Sequence, residues 1–229
     1  MANLNVKKIK EDQFYGAYEI YPFEKGWGNT LAVAIRRVLL SSIEGAAITK
    51  MRVKGVDHEF STLKGVKEDV LRIRLNLQQV VLEMTGSASE KIILKAKGPK
   101  KVFASDIETP GNVRVVNPDL FIAELTTEDA ELYIEAFVEV GSGFKLADDE
   151  IRNLEPGTIP LDRNFSPILK VNYNVEATRV AQRTDFEKIF IEIWTNGGVA
   201  PYDALLEAVD KLQSGVNELK DALNAEINE

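Results

Sequence analysis

From Pro201 onward, Leu205, Val209, Leu212, Val216, Leu219 and Leu223 recur at spacings of 4, 3, 4, 3 and 4. That is a heptad seam, narrower than the apolar stripe of a helix lying on its own domain. Pro201 suits a first helical position, where its missing N–H would have no partner anyway. The helix predicted from Pro201 to about Ile227 is roughly 40 Å long at 1.5 Å per residue. A small domain is scarcely wide enough to cover that whole stripe. The seam therefore predicts a second chain packed on it, with a two-fold homodimer as the default oligomer. The alternative is packing wholly inside the monomer.

A second helix is predicted near the other end. Glu24-Lys25-Gly26-Trp27-Gly28 is a glycine-rich turn, and Asn29 or Thr30 is the expected N-cap. Leu31, Ile35, Val38, Leu39 and Ile43 then mark one helical face, with Gly45 placed as a C-terminal cap. A shorter helix is expected from about Val66, with Val66, Val70, Ile73 and Leu77 at helical spacing and Glu68-Asp69 in its first turn. Most of the middle reads as strands: Ile48 to Val53, Val80 to Thr85, Ile92 to Ala96, Val113 to Val116 and Leu132 to Val140. Strand patterns return at Ile168 to Val175 and Ile189 to Trp194. Helical ends around a β-rich middle predict an α+β fold rather than alternating βαβ units.

Composition excludes much chemistry. The 229 residues contain no cysteine and one histidine, so thiolate metal sites, disulfides and His-rich centres are out. His58 reads as a surface or half-buried residue. A net charge of −8 disfavours general nucleic-acid binding, which depends on phosphate neutralisation. The longest apolar runs are four or five residues, and the lysine-bearing start lacks an apolar leader core. A cytoplasmic chain without membrane contact is the expectation. Gly141-Ser142-Gly143-Phe144-Lys145-Leu146-Ala147 has a dinucleotide-loop outline, but Asp148-Asp149-Glu150 would stand where phosphates sit. An enzyme using that loop is the rival reading, and a dimeric scaffold unrelated to transcription is a third. No catalytic residues, cofactor or metal site are expected. Lys95, Lys97, Lys100 and Lys101 form a small basic cluster around Gly98-Pro99.

Two features lie outside any core reading. Arg36 and Arg37 sit off the first helix's apolar stripe, beside Leu40. The segment holding Glu176, Arg179, Gln182, Arg183, Asp185 and Lys188 is dense in long polar side chains. By composition alone these read equally as solvated charges or as an interface, where arginine is favoured for planar pairing with carboxylates.

Four blocks bring a resemblance. They are Glu24 to Leu31 followed by Ile35-Arg36-Arg37-Val38-Leu39-Leu40-Ser41-Ser42, then His58-Glu59-Phe60-Ser61-Thr62 with Gly65-Val66-Lys67-Glu68-Asp69. Phe165-Ser166-Pro167, Tyr173-Asn174-Val175-Glu176 and Arg179 to Asp185 make the third, and Thr195-Asn196-Gly197-Gly198 the fourth. In that order, across nearly the whole chain, they resemble the amino-terminal domain of the bacterial RNA polymerase alpha subunit. Lys25 and Trp27 stand where the pattern has arginine and phenylalanine. Ala32-Val33 replaces a Gly-Asn pair, and Phe144 to Ala147 stands where Tyr-x-Pro-Ala is usual. The family's carboxy-terminal, promoter-binding domain does not follow Glu229, so direct DNA binding is not expected here.

The resemblance implies a dimerisation domain from residues 1–45 plus 165–229, with an antiparallel sheet and two long helices. A mostly β domain would be inserted over residues 46–164. Dimer contacts would come from Leu31, Ile35, Val38 and Leu39 and from the six seam residues. The dimer would be a non-catalytic platform for the two large polymerase subunits, β and β′. Carried over by position, Arg36 and Arg37 fall to β, with Leu40 beside them in the β/β′-binding set. Glu176, Arg179, Gln182, Arg183, Asp185 and Lys188 form the remaining large-subunit contact.

Overall fold

A computed structural model of the chain describes residues 4–86, 89–147, 154–180 and 183–226. The first half runs β1 (Asn5–Glu11), β2 (Tyr15–Glu24), α1 (Trp27–Ser41), β3 (Glu44–Val53), α2 (Val70–Leu77), β4 (Leu82–Met84), β5 (Glu90–Lys97) and β6 (Lys100–Phe103). There follow β7 (Ile107–Glu108), β8 (Val113–Val115), β9 (Phe121–Leu125), β10 (Glu131–Ser142) and β11 (Phe144–Lys145). The last elements are β12 (Ile159–Pro160), β13 (Arg163–Asn164), β14 (Ile168–Val180), β15 (Arg183–Thr195) and α3 (Pro201–Glu226). Every described strand pairing is antiparallel, and the helices are not crossovers between parallel strands. The fold is α+β, the class expected from the sequence. The chain divides into two compact units, Met1–Ile43 with Ser166–Glu229 and Glu44–Phe165.

In the middle unit a sheet of order β7-β5-β10-β3-β4-β8, with β12 beside β3, carries the core. β10 alternates as its sequence suggests: Leu132, Ile134, Ala136 and Val138 are buried, and Tyr133, Glu135 and Phe137 are half-buried on the other face. Val70, Ile73 and Leu77 of α2 join this core. The buried Asn76 amide donates to the Ile122 carbonyl at 2.8 Å, so the one polar side chain on that helix face is satisfied. α2 begins at Val70 rather than Val66. The Asp69 carboxylate accepts from Arg72 N–H at 2.7 Å, making it the N-cap instead of a first-turn acid. The lysine cluster is matched locally: Lys97 pairs with Glu131, Lys100 with Asp106, and Lys95 lies over the Tyr133 ring.

In the other unit the sheet order is β1-β2-β15-β14. Ile189, Ile191 and Ile193 of β15 and Ile20 of β2 turn one face toward α1 and α3, where Ala32, Ile35, Leu39, Ala204, Leu205 and Ala208 close the core. α1 starts three residues earlier than the asparagine cap predicts. Gly26 takes φ +91°, a conformation glycine adopts freely, and offers no side chain to cap the helix. The cap comes from β15 instead, since the two Glu187 carboxylate oxygens accept from Gly26 N–H and Gly28 N–H at 2.9 Å each. A carboxylate on two free N–H groups at a helix N-terminus is a charge-assisted pair. Glu187→Ala is expected to cost about 2 kcal/mol, or roughly 4–8 °C in Tm by thermal melting. An unchanged Tm would show the cap to be idle. At the other end α1 stops at Ser41, and Gly45 lies in β3 instead of capping the helix.

Candidate functional site

α3 is half core and half ridge. Ala204, Leu205 and Ala208 are buried, and Leu212 is half-buried against the same core. Lys211 Nζ donates to the Ser42 carbonyl at 2.8 Å, tying mid-helix to the end of α1. Beyond that tie every residue from 213 to 225 is exposed. Val216, Leu219 and Leu223 therefore form a bare apolar row, each more than half exposed. About 20 Å of helix stands clear of its own unit at 1.5 Å per residue. An isolated helix of that length is marginal in water, and its leucines gain nothing from solvent.

The bare row continues into a cleft of about 700 Å³ between α1 and α3. Trp27 and Leu31 line it from α1, Leu206 and Val209 from α3, and Leu4 and Val6 from the amino-terminal segment. Ile35 and Leu205 form its nearly buried floor, whereas Leu39 is wholly inside the core and Val38 packs partly against it. Of the predicted dimer residues, Ile35, Leu39 and Leu205 thus shape the surface from beneath. Leu31, Val209, Val216, Leu219 and Leu223 present it. Leu4, Val6, Trp27 and Leu206 were not read from the sequence as part of this face. Their signal was present only in the exposed tryptophan of the glycine turn.

The polar candidates fall into two groups. Arg36, Arg37 and Leu40 are exposed on the flank of α1 away from Ala32, Ile35 and Leu39. Arg36 Nε donates to the Val171 carbonyl of β14 at 3.3 Å. Glu176 and Lys188 meet on the opposite face of the sheet, at 3.6 Å, where Lys188 also pairs with Glu19 at 3.0 Å. The Glu19 carboxylate holds the Lys188 ammonium above the usual lysine range. Asn174 Nδ2 donates to Glu176 Oε1 at 2.9 Å and steadies the group. Glu19, from the unpredicted strand β2, is the member the sequence reading missed. Arg179 and Asp185 are exposed toward the far end of the β14–β15 pair, Arg183 begins β15, and Gln182 lies outside the described residues. The fold brings Glu176 and Lys188 together and keeps both away from Arg36 and Arg37.

His58 is exposed, its ring Nδ1 at 3.1 Å from Ser61 Oγ. The Gly141 turn leads straight into β11 at Phe144, so among the described residues no α-helix opens at Gly143 to present the N–H cradle a dinucleotide needs. Asp148 to Glu150 lie outside the described residues. Among the described residues no group of three or more acidic or histidine side chains could hold a metal ion. No described helix is long and apolar enough to cross a membrane.

An apolar helix face, an arginine flank and a charged sheet face thus lie on the unit formed by the chain's two ends, with a β-rich unit inserted between them in sequence. The insertion itself matches the family described as the RNA polymerase Rpb3/RpoA insert domain over residues 49–166, a little over half of the chain. Among similar proteins are three named DNA-directed RNA polymerase subunit alpha. That of Hydrogenobaculum sp. (strain Y04AAS1) is 43% identical across 92% of this chain. That of Roseiflexus castenholzii is 48% identical across 90%, and that of Clostridium acetobutylicum 47% across 85%. The chain belongs to the bacterial RNA polymerase alpha-subunit family. It spans 62–66% of the length of these curated relatives.

Proposed function

We propose that the chain is a non-catalytic assembly subunit of bacterial RNA polymerase: it homodimerises through the α1–α3 face and then holds the β and β′ subunits. The observation that carries this reading is the distal half of α3. A row of Val216, Leu219 and Leu223, standing clear of its own unit, needs a cover, and burying it supplies the driving force for association. A second copy fits because the face is continuous from α3 across the cleft to α1, so a two-fold places one ridge in the other's cleft. The unit made of the chain's two ends is then the dimerisation domain, and the unit Glu44–Phe165 the inserted domain. Arg36, Arg37 and Leu40 hold β, and the group around Glu176 and Lys188 supplies the other large-subunit contact. A net charge of −8 suits a surface that holds protein rather than template. Sedimentation equilibrium of the purified chain should give twice its 25.5 kDa mass. A monomer at micromolar concentration would overturn the reading.

A further inference from the structure

The two edges of the four-stranded sheet are guarded very differently. β1, at one edge, has seven residues, three of them lysines, and a break in register between Lys8 and Lys10. Shortness, lysines and a bulge are the usual devices that stop an edge from recruiting another strand. β14, at the other edge, has thirteen residues. Its irregularities fall between Ile168 and Lys170 and between Thr178 and Val180, so the stretch between them keeps a regular register. From Val171 to Ala177 that stretch holds neither lysine nor proline.

The phase of the ladder shows which groups point outward. Asn196 N–H donates to the Pro167 carbonyl and Thr195 N–H to the Phe14 carbonyl, so even positions of β15 face β14 and odd ones face β2. In the β14 register, Asn172, Asn174 and Glu176 lie opposite the even positions and bond to β15. Val171, Tyr173, Val175 and Ala177 therefore turn their N–H and C=O groups out of the sheet. Among the described residues, the Arg36 guanidinium on the Val171 carbonyl is the one hydrogen bond that reaches them. A long edge of regular register left open beside an exposed arginine is a template for strand addition.

We propose that β14 receives an extended segment of the β subunit as a fifth strand, with an acidic side chain of that segment pairing with Arg36. This rests on the assembly reading above and names how the partner is held. Charge selects the occupant's chemistry: Arg36 Nε sits on the Val171 carbonyl of this edge, and a carboxylate accepts from a guanidinium in a planar pair. Symmetry argues against a second copy. A β14–β14 pairing would add a second two-fold interface to the α1–α3 one, and two such interfaces on one protomer build tetramers or open chains rather than a dimer.

The test is amide hydrogen exchange on the wild-type dimer, alone and reconstituted with purified β and β′. Tyr173, Val175 and Ala177 are expected to exchange at least a hundredfold more slowly in the complex. Ala177→Pro removes one outward donor and should weaken subunit capture at least tenfold, whereas Ala177→Thr, which keeps the N–H, should not. Unchanged exchange at the three amides in a complex that forms would overturn strand addition while leaving the platform role intact. Failure of the wild-type chain to capture either subunit would sink both. Protection already present in the free dimer would assign the edge to a second copy and refute the proposal.

Discussion

Replacing Val216 and Leu219 together by aspartate is expected to split the dimer into folded monomers. Both side chains are more than half exposed in the protomer, so neither change disturbs a core. In a dimer, each would be covered twice, once per protomer, and each buried carboxylate would lose its water without gaining a partner. Burial of such residues contributes roughly 1–2 kcal/mol apiece. Losing that and adding unpaired charge raises the dimer dissociation constant by roughly a thousandfold or more. Sedimentation equilibrium reads the mass, and circular dichroism confirms that α3 and the sheet persist. A double variant that sediments like wild type would remove the ridge from the interface. Leu212→Asp is a poorer probe, because Leu212 packs partly on its own core and its loss would mix unfolding with dissociation.

Arg37→Ala should leave the dimer whole and weaken capture of β by about 2 kcal/mol, close to thirtyfold in affinity. Arg37 is exposed on α1 and takes no part in the core, so stability should change by less than about 0.5 kcal/mol. Arginine dominates such contacts because its planar fork makes two parallel hydrogen bonds. Arg37→Lys keeps the charge and loses the fork, and should recover only part of the affinity. Titration of reconstituted β against each variant measures this. Undiminished binding by the alanine variant would take Arg37 out of the interface.

Long periodic helices were legible in the sequence because helical burial writes itself into spacing. Leu31 to Leu39 and Leu205 to Leu223 needed no tertiary information. The strands of the middle were legible where β-branched residues alternate, as in β10. The amino-terminal strands were not. β1 reads Asn5-Val6-Lys7-Lys8-Ile9-Lys10, where the bulge after Lys8 breaks the alternation, and β2 is rich in glycine, alanine, proline and tyrosine rather than valine and isoleucine. β9 was missed as well, although Ile122, Ala123 and Leu125 are core residues. Helix starts were misplaced for different reasons: α2 is capped by its own neighbour Asp69, which the sequence reading put in the first turn. A cap can come from anywhere that reaches the free N–H groups, and for α1 it is Glu187, 161 residues from Gly26. The candidate polar residues could be picked out by composition, but not sorted into faces, because β-sheet register decides which side of the sheet each one occupies.

Sequence alone determined that this chain has two helices too apolar to stand bare, a β-rich middle, no thiol chemistry and the residue blocks of a polymerase subunit. Those are properties of spacing and composition, which the chain carries before it folds. Tertiary structure alone decided that Leu205 and Leu39 are buried in the protomer while Leu219 and Leu223 stand exposed. It decided likewise that Glu19 joins Lys188 and that β14 keeps an open edge. Each of these depends on which distant segment arrives beside a residue, and burial and strand pairing are settled between segments, not within one.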